Sequence, residues 1–169
     1  MIIVEGVDNA GKSLLVRELG KKLKWTTVKN HRIATTPEKF VGIISELAVV
    51  SETLHGKVIF DRHPIISEMV YGPAIRQLSL IQPSVALAYL ARTGSKILFC
   101  CPPISSIRSG FHLRPQMSGV EYHLEDLAAE YAELMWALGK DGIPILYFDY
   151  TEDPHYDALF SELEKINVR

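Results

Sequence analysis

Gly6-Val7-Asp8-Asn9-Ala10-Gly11-Lys12-Ser13 places two glycines, a lysine and a serine in the pattern G-x-x-x-x-G-K-S. Those residue types at that spacing can do one kind of chemistry. The glycines let the backbone curl around a phosphate, and the first amides of a following helix point inward as donors. An ammonium at position 12, free to meet a ligand, reaches the β- and γ-phosphates of a nucleoside triphosphate, and a hydroxyl at position 13 can hold Mg²⁺. The expected ATP- and phosphate-binding set is Gly6, Asn9, Ala10, Gly11, Lys12, Ser13 and Leu14. A chance glycine turn is the competing explanation, and the flanks weigh against it. Met1-Ile2-Ile3-Val4 reads as a buried strand before the loop, and Leu14, Leu15, Leu19 and Leu23 fall at helical spacing after it.

Asp61-Arg62 is the second candidate. It closes the apolar run Lys57-Val58-Ile59-Phe60, and strand C-terminal ends are where parallel sheets bind ligands. A carboxylate there can hold Mg²⁺ or take a proton from an attacking hydroxyl, and the arginine can fork onto an acceptor phosphate. A structural ion pair is the alternative; a P-loop in the same sheet favours chemistry. The third candidate is the polar, glycine-flanked loop from Ser109 to Gly119, with Arg108, His112 and Arg114 in or beside it. Phosphoryl transfer spreads negative charge, and an arginine carried by a closing lid can neutralise it. Arg114 and Arg108 are equal candidates, against the ordinary alternative of a solvated basic loop.

The elements needed to position these groups are legible in outline. The 169 residues suit one domain, 1–169, and an apolar fraction of 47% supplies a core. A net charge of −2 gives no global attraction to a nucleic-acid polymer or an anionic membrane. Cys100 and Cys101 are adjacent and without metal-ligand spacing, which reads as a pair of reduced core thiols in a cytoplasmic protein. No signal segment or spanning apolar run is visible.

Strands are expected at 1–4, 25–28, 57–60, 96–101 and 145–148. Helices are expected after the P-loop, from a Thr36 cap through about 37–55, from Pro83 to Arg92, over 104–109, over 121–138 and over 153–166. Residues 65–76 read as irregular or helical with a break at Gly72-Pro73, and Gly139 and Gly142 are expected to end the long helix. Strands alternating with helices predict an α/β fold of three layers. About five parallel strands carry helices on both faces, with a lid at about 108–120.

Together these pieces resemble the nucleoside monophosphate kinase group, and most closely the thymidylate kinases. Glu5-Gly6-Val7-Asp8-Asn9-Ala10-Gly11-Lys12-Ser13 is similar to their E-G-x-D-x-x-G-K-S/T loop, Asp61-Arg62-His63 to their D-R-H/Y motif, and Tyr71 with Arg76 to a tyrosine–arginine pair downstream. The resemblance implies that Asp8 accepts from the acceptor's 3′-hydroxyl, Arg62 holds its monophosphate, and Asp61 with Ser13 organises Mg²⁺. It also implies acceptor contacts at Arg32, Phe40, Tyr71 and Arg76. Asn9 stands where one subgroup carries its catalytic arginine, so this chain is similar to the subgroup that supplies it from the lid. Relatives are commonly homodimers.

The sequence also departs from the family. The helix expected at 37–55 holds Phe40 but no arginine to read thymine, and Ser67 comes one place late after D-R-H. Phe40, Tyr71 and Tyr122 are left as aromatics that could stack a base, with core packing the commoner fate. The expected activity is transfer of the ATP γ-phosphoryl group to a deoxynucleoside monophosphate, with dTMP first. A deoxynucleoside kinase is the nearest alternative, in which Asp61 is general base to a neutral hydroxyl. A GTP-dependent switch lacks its N-K-x-D and D-x-x-G motifs here, and a pure nucleotide-binding module does not need Asp61 and Arg62.

Overall fold

The computed structural model describes residues 1–30, 34–111, 123–153 and 155–167. Three apolar runs form the centre of a sheet: β1 (Ile2–Glu5), β3 (Val58–Asp61) and β4 (Lys96–Cys100), all buried except Lys96. They are flanked by β2 (Thr26–Lys29), largely exposed, and β5 (Ile145–Phe148). The five strands are parallel and lie in the order β2-β3-β1-β4-β5. Parallel neighbours need crossover connections, and the helices supply them. In chain order they are α1 (Lys12–Leu23), α2 (Pro37–Thr53), α3 (Pro64–Arg76), α4 (Pro83–Arg92), α5 (Ile104–Ser109), α6 (Leu124–Lys140) and α7 (Asp157–Asn167). The result is a three-layer α/β fold.

The register positions the site. Val4 lies opposite Asp61 and Glu5 opposite Phe99, so β1, β3 and β4 run out at one level of one sheet edge. The P-loop and the Asp61-Arg62 pair leave from adjacent strands there. Ile2, Ile3, Ile59, Phe60, Ile97 and Leu98 are fully buried beneath them. Burial of such side chains contributes roughly 1.5–3 kcal/mol each, which makes this a rigid base.

Helix ends follow their signals with some corrections. The Thr36 hydroxyl caps α2 by accepting from Lys39 N at 3.4 Å. The expected break at Gly72-Pro73 does not occur, because α3 runs unbroken from Pro64 to Arg76. Buried Ile65, Ile66 and Val70 hold it against the core, and Gly72 makes room for Glu68, whose Oε1 would stand 2.5 Å from a Cβ there. α3 stops at Gln77, in the left-handed region at φ 56°. Gly139 does not end α6: the helix continues to Lys140, and the chain turns at Gly142 with φ 86°. Buried Leu138 anchors that last turn, its carbonyl accepting from Ile143 N at 3.0 Å. α7 begins at Asp157 rather than Asp153, because the Asp153 carboxylate accepts from the amides of Asp157 and Leu159 and so sits outside the helix as its cap. Both cysteines are free thiols, and burial pushes Cys100 up to about 12. Among the described residues no helix is long and apolar enough to cross a membrane.

Candidate active site

The site begins where β1 ends. Gly6 adopts φ 139°, and a Cβ at this position would fall 2.4 Å from the Cys100 carbonyl oxygen of neighbouring β4. Only glycine lets the chain leave the sheet there. Gly11 takes φ 85° at the N-cap of α1, with the Tyr150 ring against it, 2.9 Å from where a Cβ would stand. Between the two glycines, Asn9 is left-handed at φ 62° and its Nδ2 is buried without a hydrogen-bond partner. Ala10 is fully buried, and Leu14 is 44% exposed.

Lys12 corrects one expectation. It is packed rather than held out for a ligand, being 7% exposed, and its ammonium donates to the Val7 carbonyl across the loop. Burial, and then the positive charge of Arg62, lowers its pKa to about 8. A triphosphate would replace that carbonyl with stronger acceptors and favour the protonated form.

Ser13 and Asp61 meet. The serine hydroxyl donates to Asp61 Oδ2 at 2.9 Å, bridging the first turn of α1 and the end of β3. A hydroxyl and a carboxylate are hard oxygen donors. They suit Mg²⁺, which takes few protein ligands and keeps several waters. Among the described residues no larger cluster of histidine, cysteine or carboxylate ligands exists.

Arg62 is the most constrained residue of the site. Its backbone is left-handed at φ 68°, while its amide still donates to the Val4 carbonyl at 3.0 Å. Its guanidinium donates to Asp8 through Nη2 and to the Tyr131 hydroxyl through Nη1 at 2.9 Å. It lies 3.9 Å from Glu5 Oε2 and 5.4 Å from the Tyr71 ring centre. Burial opposes its charge, but Tyr131, Tyr71, Glu5 and Asp8 hold its pKa well above the ordinary arginine value. Glu5 is fully buried and accepts from His63 N at 2.7 Å, the Ser67 hydroxyl at 3.4 Å and the Tyr131 hydroxyl at 3.0 Å. Burial raises its pKa even beside Arg62. His63, fully buried and N-terminal to α3, is kept neutral, with its pKa lowered to about 3 by burial.

The structure thus brings Asp8, Lys12, Ser13, Asp61, Arg62 and Tyr71 to one edge of the sheet. It places three other candidates elsewhere. Phe40 is 4% exposed and belongs to the core. Arg76 lies at the far end of α3, its Nη2 donating to Glu68 Oε1, which also accepts from Leu80 N at 2.8 Å. Arg108 ends α5 and pairs with Glu125 in the first turn of α6. Arg32, Arg114 and most of the expected lid lie outside the described residues. Glu5 and Tyr131 escaped the sequence reading as site residues. The signal for Glu5 was its place at the head of the E-G-x-D-x-x-G-K-S/T pattern, to which no role was attached, whereas Tyr131 reads only as part of an apolar helix face.

No family model matches the chain, and no curated protein matches it by sequence. Solved structures do. The YorR protein of Bacillus subtilis, in complex with phosphorylated GDP, is 20% identical with a TM-score of 0.75 over 99% of this chain and 98% of its own. The chain has the fold of the P-loop nucleotide kinases. Within that fold no single subfamily stands out. A deoxyadenosine kinase from M. mycoides with bound dCTP is 17% identical, covering 98% of this chain and 100% of its own. A thymidylate kinase from Candida albicans, described as having broad substrate specificity, is 16% identical, covering 98% and 91%. Both superpose with a TM-score of 0.61.

Proposed function

We propose that this protein is an ATP-dependent kinase that phosphorylates the hydroxyl of a deoxynucleoside. One observation carries the choice of a neutral acceptor. Among the described residues, both candidate acceptor arginines already face a carboxylate: Arg62 meets Asp8, and Arg76 meets Glu68. A monophosphate dianion would have to displace Asp8 and then lie beside it, whereas a neutral hydroxyl meets no such repulsion. The likeness to deoxyadenosine kinase structures supports the same reading.

In this reading the P-loop amides and Lys12 hold the triphosphate. Ser13 and Asp61 would hold Mg²⁺, which when bound would neutralise phosphate charge. The Asp61 oxygen that does not face Ser13 takes the proton of the acceptor hydroxyl, and Arg62 orients it. Asp8, with a quarter of its side chain exposed, accepts from a sugar hydroxyl. The rest of the rate comes from positioning and charge neutralisation.

A second reading keeps the same donor side and takes a deoxynucleoside monophosphate, dTMP first. The position of Asp8 within the loop favours it. A phosphate that drew Arg62 away would leave Asp8 free for the 3′-hydroxyl. ATP with each deoxynucleoside and each monophosphate, followed by ADP release, decides between them. Turnover of nucleosides supports the first reading, turnover of monophosphates alone moves the protein to the second, and turnover of neither overturns both.

A further inference from the structure

We propose that Tyr131 is a positioning residue for Arg62, with Glu5 as its buried anchor. The inference rests on the kinase reading above for its catalytic consequence, and on geometry for the rest. The Tyr131 hydroxyl stands between two groups that need it. It accepts from Arg62 Nη1 at 2.9 Å and donates to Glu5 Oε2 at 3.0 Å. One hydroxyl therefore bridges a carboxylate at the end of β1 and a guanidinium at the end of β3, which lie 3.9 Å apart, beyond hydrogen-bond reach of each other. It does so from a third element, α6.

The anchor cannot shift. Glu5 is fully buried, and its other oxygen is engaged by His63 N and the Ser67 hydroxyl. The Tyr131 ring is fixed as well: it is fully buried, stacks on Phe99 at 5.9 Å and 25°, and meets Tyr71 edge-on at 6.0 Å. Arg62, by contrast, sits on a left-handed backbone at φ 68°, a conformation costly for a residue other than glycine and held by its surroundings. Its second hydrogen-bond partner, Asp8, lies at the partly exposed rim, where an acceptor would compete for it. When an acceptor engages Asp8, the Tyr131 hydroxyl remains as the hydrogen-bond acceptor that aims the arginine, with the Glu5 carboxylate at 3.9 Å and the Tyr71 ring at 5.4 Å giving it charge and packing but no close hydrogen bond. Glu5, fully buried, has no surface open to a ligand.

The test has two arms. In the ligand-free protein, the Nη resonances of Arg62 in ¹⁵N NMR should be resolved and slow to exchange, and Tyr131→Phe should average them while keeping the ring packing. Unchanged Arg62 signals in that variant overturn the proposal whatever the substrate proves to be. In turnover with the acceptor found by the panel, Tyr131→Phe should raise acceptor KM about tenfold and leave ATP KM within about twofold. On an Arg62→Ala background the same change should add nothing, since its effect passes through the arginine. Additive losses, or an equal rise in both KM values, overturn it. If the panel yields no acceptor, the kinase reading fails while the NMR arm still decides this one. Should Tyr131→Phe not fold, Glu5→Gln carries both arms, with loosened Arg62 signals expected and unchanged ones overturning the proposal.

Discussion

The Ser13 hydroxyl donates to Asp61 Oδ2 across 2.9 Å, although 48 residues separate them in the chain. The bond ties the first turn of α1 to the end of β3 and gathers two oxygen donors at one point. Asp61→Asn and Ser13→Ala should therefore each raise the Mg²⁺ concentration needed for half-maximal turnover about tenfold or more, with unchanged circular dichroism. A Mg²⁺ titration of either variant that superposes on the parent's would remove this pair from the metal site.

Lys12 links ligand binding to pH. Its folded pKa of about 8 lies below the ordinary lysine value of 10.5, so between those two values the unfolded chain binds more protons. Stability therefore rises with pH across that window, and below it the buried charge is a net cost. Lys12→Met should abolish turnover yet raise the melting temperature of the ligand-free protein at pH 7. The rise should be about 2–4 °C per kcal/mol relieved, and it should shrink as pH passes 8. ATP should stabilise the parent and not the variant. Differential scanning calorimetry from pH 7 to 10 measures the three thermal effects and an ADP-release assay the loss of turnover, and a variant less stable than the parent at pH 7 contradicts the argument.

Arg76 should behave as a structural residue. Its partner Glu68 is 8% exposed, and removing the guanidinium leaves that carboxylate with little beyond the Leu80 amide. Arg76→Ala should lower stability by about 1–3 kcal/mol, read from urea unfolding, with acceptor KM within about twofold of the parent. A large KM change without loss of stability would return Arg76 to the acceptor site.

The two lid arginines should separate. Arg108 already pairs with Glu125 in exposed surroundings, so Arg108→Ala should change kcat by less than about threefold, as exposed pairs contribute little. Arg114→Ala should lower kcat by about a hundredfold or more with KM nearly constant, the signature of a contact made only in the transition state. Single-turnover kinetics on both variants distinguishes them, and full kcat in both would leave the reaction without a lid arginine.

The chemistry that lies close in sequence was the most legible. Gly6 to Ser13 is a local pattern, and the sheet follows from apolar runs whose burial the strands confirm. What local reading could not reach was partnership at a distance. Arg76 fits a family spacing, but its fate is set by Glu68, two turns earlier on the same helix. Phe40 is an aromatic in an acceptor-side helix, yet its position on the inner face of α2 puts it in the core. Gly72-Pro73 carries a strong break signal, which the packing of Ile65, Ile66 and Val70 overrides. Glu5 and Tyr131 are joined over 126 residues, and no periodicity within either element announces that bond.

The approach of Gly6 to the Cys100 carbonyl has a further consequence for how this chain tolerates change. The demand for glycine at position 6 comes from β4, not from any phosphate, since a Cβ would strike main-chain oxygen. At Gly11 the obstruction is the side chain of Tyr150, which can be trimmed, leaving only the backbone's own preference at φ 85°. A library screened for folding alone would thus already be purged at position 6. At position 11 it would keep survivors that only a screen for activity could remove. The two glycines of one motif answer to different selective pressures, one architectural and one chemical.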